Sequence, residues 1–300
     1  MIRFQNPIYE KDRWAANRSK TFLISVLAVN SVIAIIAVIV FINMVSYMKT
    51  SSVNDYSALL QLYLTLAMAE CLMIVFIAPA LAGTGISQER ENGNLELFFS
   101  TGVSSWQVIF GKLISSMNMI FVLLVTALPV FSLVFVYGGV QMIDLVAMIS
   151  VLLIVSLEIC TLSILCSAGA NRSVYAALSA YAANFILIGG TMLIHLAPRF
   201  LYSSTSYGDQ LGSPVAWYHY LLLANPVVTF YGVLNYQAGS RTAIFDMINY
   251  MGNYKQNWIT QHWLPVSLLV QAVIVAIELI LSVHNLYNKR KSGGYREIRS

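Results

Sequence analysis

The stretch Thr21–Met48, TFLISVLAVNSVIAIIAVIVFINMVSYM, contains no Lys, Arg, Asp or Glu. A helix needs about 20 predominantly apolar residues to cross the hydrocarbon core of a bilayer, and this stretch is longer than that. A cleavable signal peptide has a much shorter apolar segment that begins closer to the start of the chain. We therefore predict that Thr21–Met48 is a membrane-crossing helix that is retained in the mature protein.

The composition extends this interpretation to all 300 residues. Hydrophobic residues make up 58% of the chain and charged residues only 10%, whereas soluble domains carry roughly 25% charged residues. So few charges cannot cover the surface of a water-soluble globule of this size, which argues against a soluble enzyme. A disordered chain needs more charge, and a disulfide scaffold needs more than three cysteines. Of the classes of protein considered, the composition fits only a polytopic membrane protein.

Metal, redox and nucleic-acid functions find little support in the sequence. Cys71, Cys160 and Cys166 lie inside apolar runs, where a thiol is most often a small packing residue. Neither the cysteines nor the four histidines have the spacing of metal ligands, so we predict no metal site. The basic residues lie beside apolar runs at the two chain ends, not on one clustered basic face, which argues against nucleic-acid binding.

Six apolar runs are long enough to cross a membrane, and we predict an all-α fold in one transmembrane domain over residues 1–300. The predicted spans are 21–48, 58–82, 108–137, 145–167, 174–196 and 264–287.

The distribution of basic residues orients these spans, because short cytoplasmic segments carry an excess of Lys and Arg. If the N-terminus is cytoplasmic, the outer segments hold only Lys49, Arg199, Arg241 and Lys255. The inner segments then hold the other 13 of the 17 basic residues. We therefore expect both termini in the cytoplasm.

Three segments outside the spans are long enough to have structure of their own. Residues 1–20 contain Asn6-Pro7, a typical helix start, followed by Trp14 and basic residues that suit a helix in the inner headgroup layer. Residues 83–107 form an inner loop. In the outer segment 197–263, Asn225-Pro226 divides an apolar piece, which predicts a broken or re-entrant helix pair before the last span. The Tyr and Trp residues of this segment favour an outer interface belt or, alternatively, a lid over an amphipathic substrate.

The inner loop Gly85–Trp106 reads GISQERENGNLELFFSTGVSSW. Physically it predicts two short amphipathic helices that are separated at Gly93, with Ser87 and Ser104 as candidate N-caps. The apolar cluster of Leu95, Leu97, Phe98 and Phe99 must be buried against lipid or protein, while the charged edge faces the cytoplasm. That edge is a plausible docking surface for another protein, and its charged residues are Glu89, Arg90, Glu91 and Glu96.

This loop resembles the permease subunits of type-2 ABC transporters. The resemblance is carried by Glu89-Arg90-Glu91-x-Gly93-x-Leu95-Glu96, Ser100-Thr101-x-Val103-Ser104 and Gly111-Lys112-Leu113. The six-span topology, the N-terminal Asn-Pro and the Asn-Pro near the last span are also similar to that family. The sequence departs from the family pattern at Asn94, Gly102 and Ser105, where Thr, Pro and Arg are usual.

The resemblance implies the membrane subunit of an ATP-driven exporter in a prokaryotic inner membrane. Two permeases, identical or homologous, would pair in the lipid, and two ATPase subunits carrying ATP and Mg²⁺ would drive them. The segment Ser87–Ser100 would be the coupling helix, with Glu89, Arg90, Glu91, Gly93 and Glu96 as the ATPase-coupling residues. The alternative is that these are solvated loop charges needed only for topology.

The chain itself does not have an ATPase motif. A P-loop requires the pattern G-x-x-x-x-G-K-[ST]. Gly111-Lys112 is followed by Leu113, and Trp106 occupies the place of the first glycine. We therefore predict a transport subunit that is not an enzyme and has no cofactor of its own. An intramembrane enzyme would also need a nucleophile or metal cluster, and the sequence contains none.

Three glutamates interrupt the even-numbered spans at similar depth. Glu70, Glu158 and Glu278 lie 12 to 14 residues into their spans, roughly 18–21 Å down a core of about 30 Å. Ionisable residues in a membrane are costly and often functional, so these three are candidates for a polar substrate path. They could instead be separate hydrogen-bonding residues between helices. A second function therefore stays open: an ion- or proton-coupled secondary transporter that uses these carboxyl groups.

Overall fold

The computed structural model describes residues 8–12, 20–50, 56–136, 141–201, 214–250 and 254–297. Every regular element in these ranges is a helix. Asn6-Pro7, Trp14 and the turn-rich start of the outer segment at 202–212 lie outside the described residues, as does most of the predicted interfacial helix 1–20.

The helices fall into six long ones and several short ones. Residues 8–12 are helical. The numbered helices are α1 (Lys20–Thr50), α2 (Tyr56–Ala82), α3 (Gly85–Glu91), α4 (Asn94–Ser100), α5 (Ser105–Val136), α6 (Met142–Gly169), α7 (Ser173–Phe185), α8 (Thr191–Leu201), α9 (Pro226–Gln237), α10 (Ala243–Asn249), α11 (Trp258–Gln261) and α12 (Trp263–Glu297). A π-helical segment, Ile186–Gly190, joins α7 to α8, and a 3₁₀-helix, Trp217–Ala224, precedes α9.

Six helices are long and apolar enough to cross a membrane: α1, α2, α5, α6, the continuous α7–α8 helix and α12. The predicted number of six is therefore confirmed, and most ends agree with the predicted spans to within a few residues. The exception is α12, which continues to Glu297 although its apolar run ends near Tyr287. The end of the apolar run does not end the helix, because Lys and Arg are also good helix formers.

Helix α6 lies at the centre of the bundle and packs against α2, α5, α7, α9 and α12. It is buried on several faces, because every residue from Val155 to Thr161 except Leu157 is buried. A helix that is apolar all round belongs in such an interior position. In contrast, α1 and α7 expose large apolar side chains such as Ile24 and Leu178, so these faces need an apolar environment such as lipid or another protein.

The segment before α12 folds as a hairpin, here called the Asn225 hairpin, made of the 3₁₀-helix Trp217–Ala224 and α9. Asn225 caps α9: its Oδ1 accepts hydrogen bonds from the N–H groups of Val227 (3.0 Å) and Val228 (3.3 Å). Pro226, which has no N–H to satisfy, occupies the first helical turn. The break at Asn225-Pro226 thus has the local cause that the sequence indicates.

The two ends of α9 are fixed to different helices. At its start, the Asn225 amide donates to the Ile188 carbonyl (2.9 Å) in the π-helical segment and to the Thr191 hydroxyl (2.8 Å). At its end, Gln237 accepts from the Tyr63 hydroxyl (2.9 Å) and donates to the Asp144 carbonyl (2.9 Å). Because Tyr63 and Asp144 lie near the first residues of α2 and α6, α9 runs from inside the bundle towards the end opposite α3 and α4.

The turn after α2 requires glycine at position 83. A Cβ there would lie 2.5 Å from the Pro79 carbonyl oxygen and 2.8 Å from Ala180 Cβ. Such overpacking costs about 1–3 kcal/mol. We expect Gly83→Ala to lower the thermal unfolding midpoint of the purified protein. Gly169→Ala is the control and should leave the midpoint unchanged, because nothing lies within 4 Å of that position. Equal midpoints for the two variants would contradict the close approach of α2 to α7.

Candidate functional site

The site is built on the elbow, which we define as residues 85–100: α3, the turn at Asn92-Gly93, and α4. The start of α3 is fixed to the last turn of α6. The N–H groups of Ile86 and Ser87 both donate to Ser167 Oγ at 3.1 Å. The first N–H groups of a helix have no partner within it, so this hydroxyl satisfies two of them. Ser87 lies inside α3 and is not its N-cap, contrary to the prediction.

Two cations, one near the other end of α3 and one in the C-terminal part of α12, donate to neighbouring carbonyl groups at the end of α6. Arg90 donates to the Ala168 carbonyl (3.1 Å) and to the Ala170 carbonyl. Lys289 donates to the Gly169 carbonyl and to Asn171 Oδ1 (2.6 Å). The C-terminal carbonyls of a helix carry partial negative charge, so both cations stabilise the end of α6. Arg90 is therefore turned inward, towards α6.

Glu89 is the centre of a buried ionic cluster. Its carboxylate accepts hydrogen bonds from Lys11 Nζ (2.9 Å), Lys112 Nζ (3.0 Å) and Asn94 Nδ2 (2.9 Å). Lys112 also forms an ion pair with Asp12 at 2.9 Å. The prediction that Glu89 faces the cytoplasm as part of an exposed edge is therefore wrong. Glu89 is only 9% exposed, because three donors from three different segments converge on it.

The aromatic side chains of α4 are held by cations from the two ends of the chain. Lys11 Nζ lies 5.0 Å from the centre of the Phe98 ring, and the Arg290 guanidinium lies 4.7 Å from the centre of the Phe99 ring. Such cation–π contacts are worth about 0.5–2 kcal/mol each. The 8–12 helix and α12 thus both contact α4.

Gly93 sets the bend within the elbow, and Ser104 starts the helix that follows it. Gly93 has φ +72°, the left-handed conformation that glycine adopts without strain, and it separates α3 from α4. After α4, Ser104 caps α5 as predicted. Its Oγ accepts from the Gln107 N–H (3.3 Å), and Gln107 Oε1 accepts from the Ser104 N–H (2.8 Å), which is a capping box.

The remaining polar groups of the elbow form an exposed surface. Glu91 and Glu96 are exposed, and Glu91 accepts a hydrogen bond from the Ser173 hydroxyl at the start of α7. Leu97 is 62% exposed between them and the start of α5. We call this the elbow surface: Gln88, Glu91, Asn92, Gly93, Glu96 and Leu97. The predicted coupling residues therefore divide into Glu89, which is buried, Arg90, which is half-buried and turned inward, and three exposed ones.

The geometry of a charged elbow between the second and third membrane-length helices can now be compared with known proteins. The family model described as ABC-2 family transporter protein matches residues 7–290. The chain belongs to this family. A comparison with curated proteins finds no significant match. Together with the six apolar helices, the family makes this a multi-pass membrane protein, the transmembrane permease of an ABC transporter.

The permease brings together two of its three intramembrane glutamates. Thr161, one turn after Glu158 on α6, donates to Glu278 on α12 at 2.5 Å, so both carboxyl groups lie at the α6–α12 interface. Among the described residues, neither oxygen of Glu158 has a hydrogen-bond partner. Glu70 lies on α2, and no described contact joins it to the other two. All three are buried within this one chain.

Several residues of the site carry no signal that sequence patterns could reveal. Lys11, Asp12 and Lys112 are separated from Glu89 by long stretches of chain, so only the fold brings them together. Ser167 and Lys289 act on backbone groups, which have no sequence signature. The available hints were the excess of basic residues near the predicted inner ends and the place of Lys112 in the Gly111-Lys112-Leu113 part of the family resemblance, and neither indicates a contact with Glu89.

The two lysines of the ionic cluster should differ strongly in their effect on stability. The Lys112 side chain is 10% exposed and that of Lys11 is 46% exposed. Breaking a buried pair leaves an uncompensated charge and costs about 3–5 kcal/mol, whereas an exposed pair is worth about 0–1 kcal/mol. We expect Lys112→Met to lower the thermal unfolding midpoint of the permease much more than Lys11→Met.

The second-site change Glu89→Gln provides the matched control for this comparison. Lys112→Met leaves Lys11 facing two carboxylates, Glu89 and Asp12, and Glu89→Gln removes that excess negative charge, so the double variant should recover part of the lost midpoint. Equal losses for the two lysine variants, or no recovery in the double variant, would contradict the assignment of Glu89 as the centre of the cluster.

Proposed function

We propose that this permease is driven as an exporter by a separate ATPase subunit that pushes on the elbow surface. The observation that carries the proposal is the attachment of the elbow. It is bonded at the same time to the 8–12 helix, α5, α6, α7 and α12. A segment attached to so many elements cannot move alone, so a displacement of the elbow is transmitted to the bundle.

The chemistry of the elbow surface supports a docking role. Its two carboxylates would attract cationic groups of a partner, and the exposed Leu97 beside Glu96 would offer an apolar contact. ATP and Mg²⁺ would be bound by the partner and not by this chain. Two ATPase subunits would act on two permeases, identical or homologous, which pair in a prokaryotic inner membrane.

The inward-turned residues Glu89 and Arg90 have a different role in this proposal. They position the elbow, because their partners belong to the body of the permease. Gly93 provides the turn that lets α3 and α4 meet at an angle. The coupling motif thus combines contact residues at Glu91 and Glu96 with positioning residues at Glu89, Arg90 and Gly93.

We propose the orientation with the elbow and both termini in the cytoplasm. The basic residues Lys289 and Arg290 contact the elbow end of the bundle, as does Lys11. An excess of Lys and Arg at one end is typical of the cytoplasmic side. In this orientation the Asn225 hairpin enters the outer half of the bilayer and returns to the same side. The 8–12 helix would then lie at the inner interface.

A labelling experiment tests the orientation. Trp258→Cys creates an exposed thiol at the end of the bundle opposite the elbow, and Glu91→Cys creates one on the elbow. In intact cells, a membrane-impermeant maleimide should react with the first thiol and not with the second. The second should react once the cells are permeabilised. Labelling of Glu91→Cys in intact cells would reverse the assignment.

The three intramembrane glutamates remain our candidates for a polar path. Their burial means that cargo could reach Glu158 and Glu278 only if α6 and α12 separate. An ion- or proton-coupled carrier would use the same carboxyl groups without ATP. Transport that persists with a hydrolysis-deficient ATPase partner would favour that second function.

Docking can be tested by reversing charge on the elbow surface. The double variant Glu91→Lys/Glu96→Lys should lose its ATPase partner in a pull-down from solubilised membranes, because like charges repel at the interface. The loss should be at least tenfold, while the amount of inserted permease stays the same. Asp246→Lys is the matched control, because it reverses an exposed acid on α10, at the other end of the bundle. Unchanged capture by the double variant would contradict the docking site.

A further inference from the structure

A second set of polar contacts joins the Asn225 hairpin to the α7–α8 helix. Ile188, Thr191 and His195 follow one another at helical spacing and lie on one face of that helix. The first two accept hydrogen bonds from Asn225, and His195 meets His219 on the 3₁₀-helix. This face therefore contacts the hairpin at two places, the 3₁₀-helix at His219 and the turn at Asn225. Sequence spacing gave no sign of the histidine pair, because the two residues meet only through the fold.

The contact between the histidines constrains their protons. Their Nδ1 atoms are 2.8 Å apart, and both side chains are fully buried. One ring must donate through Nδ1–H and the other must accept through a bare Nδ1, so the pair cannot carry a proton on both of these nitrogens. A doubly protonated pair would place two N–H groups and two positive charges against each other.

The described surroundings offer no negative charge to stabilise a protonated pair. His219 Nε2 lies 3.3 Å from the Tyr254 hydroxyl, and the Tyr218 ring packs against the His219 ring. His195 Nε2 has no hydrogen-bond partner among the described residues. Helix α12 faces the 3₁₀-helix with Ser267 and Gln271, which are neutral and donate to the Leu223 carbonyl. The exposed His262, just before α12, stacks on Trp258 and not on the pair.

We propose that His195 and His219 form a proton-operated latch, which holds the Asn225 hairpin against the α7–α8 helix while both rings are neutral and releases it when they bind protons. The ligand of this site is the proton, and the moving part is the 3₁₀-helix Trp217–Ala224. The latch lies away from the elbow and does not depend on the proposed ATPase coupling.

The direction and range of the effect follow from linkage. Burial, and to a lesser extent the neighbouring His195 ring, lowers the pKa of His219 from 6.5 to about 4. A released His219 returns to its ordinary pKa, so the open state binds more protons than the closed state between these two values. The latch is therefore fully effective above about pH 6.5 and weakens as the pH falls towards 4. His219 alone changes the closed-to-open ratio by at most about tenfold per pH unit in this window, or roughly 100- to 300-fold in total.

The latch can be tested by measuring the distance between the two elements it joins. Spin labels at Trp217→Cys and Leu193→Cys, both exposed positions, report on the hairpin and on α8. The native Cys71 and Cys160 are buried, and Cys166 is replaced by Ser. Pulsed dipolar spectra of the purified permease in detergent are recorded from pH 7.5 to pH 4. We expect one short distance at pH 7.5 and a growing longer population below about pH 6.5.

Substitutions separate the pair from other titrating groups. In His195→Asn/His219→Asn, side-chain amides can replace the ring contact and do not titrate, so the pH-dependent population should disappear. His262→Gln removes an exposed histidine and should leave the pH dependence intact. If the double variant does not elute as a monodisperse peak from size-exclusion chromatography at pH 7.5, His219→Asn is used alone. In that variant the pH-dependent change in the ratio of long to short distances should be reduced about tenfold or more.

Three outcomes would overturn the proposal. The distance could stay constant down to pH 4, the double variant could keep the full pH response, or His262→Gln could abolish it. Addition of EDTA distinguishes the remaining alternative. A pH response that EDTA removes would show that the histidines hold a metal ion, and the proton would then not be the ligand.

Discussion

A buried carboxylate in a chain with few charges must find its partners within the fold, and Glu89 shows how this shapes the permease. Its oxygens draw together Lys11 from the N-terminal helix, Lys112 from α5 and Asn94 from α4. A carboxylate taken out of water is unfavourable unless such donors surround it. The position of the elbow on the bundle is therefore not free to vary: any shift of α3 breaks contacts with several elements at once.

Helix α6 provides the frame on which both ends of the molecule are organised. At one end its last turn offers Ser167 to the start of α3 and its carbonyl groups to Arg90 and Lys289. At the other end the Asp144 carbonyl accepts from Gln237 at the close of α9. Polar contacts thus concentrate at the two ends of an apolar helix. At its last turn they satisfy carbonyl groups that have no partner within the helix, and at its first turn Gln237 uses a free lone pair of the Asp144 carbonyl. The elbow and the Asn225 hairpin are held by the same helix at opposite ends.

The long helices could be predicted because their signal is local. An apolar run such as Thr21–Met48 determines both the helix and its surroundings, and Asn225-Pro226 marks a helix boundary through its own capping chemistry. The elbow motif likewise predicted two short helices with a break at Gly93. The burial of Glu89 and the inward contacts of Arg90 could not be predicted, since a charged residue in a loop is exposed unless distant donors or carbonyl groups reach it. The same limit hid the meeting of His195 and His219, which lie on different elements.

The π-helical segment Ile186–Gly190 has a consequence for relatives of this chain. A π-turn arises when one extra residue is accommodated within an α-helix. Because the extra residue is absorbed within the wide turn, removing one residue there would restore regular geometry and leave the helix on either side facing as before. The side that now carries Thr191 and His195 would still face the Asn225 hairpin. A deletion in the regular helix between these two residues has no such turn to absorb it and would rotate everything after it by about 100°. A homologue that is one residue shorter can therefore keep this contact with its hairpin only if the missing residue belongs to the π-turn.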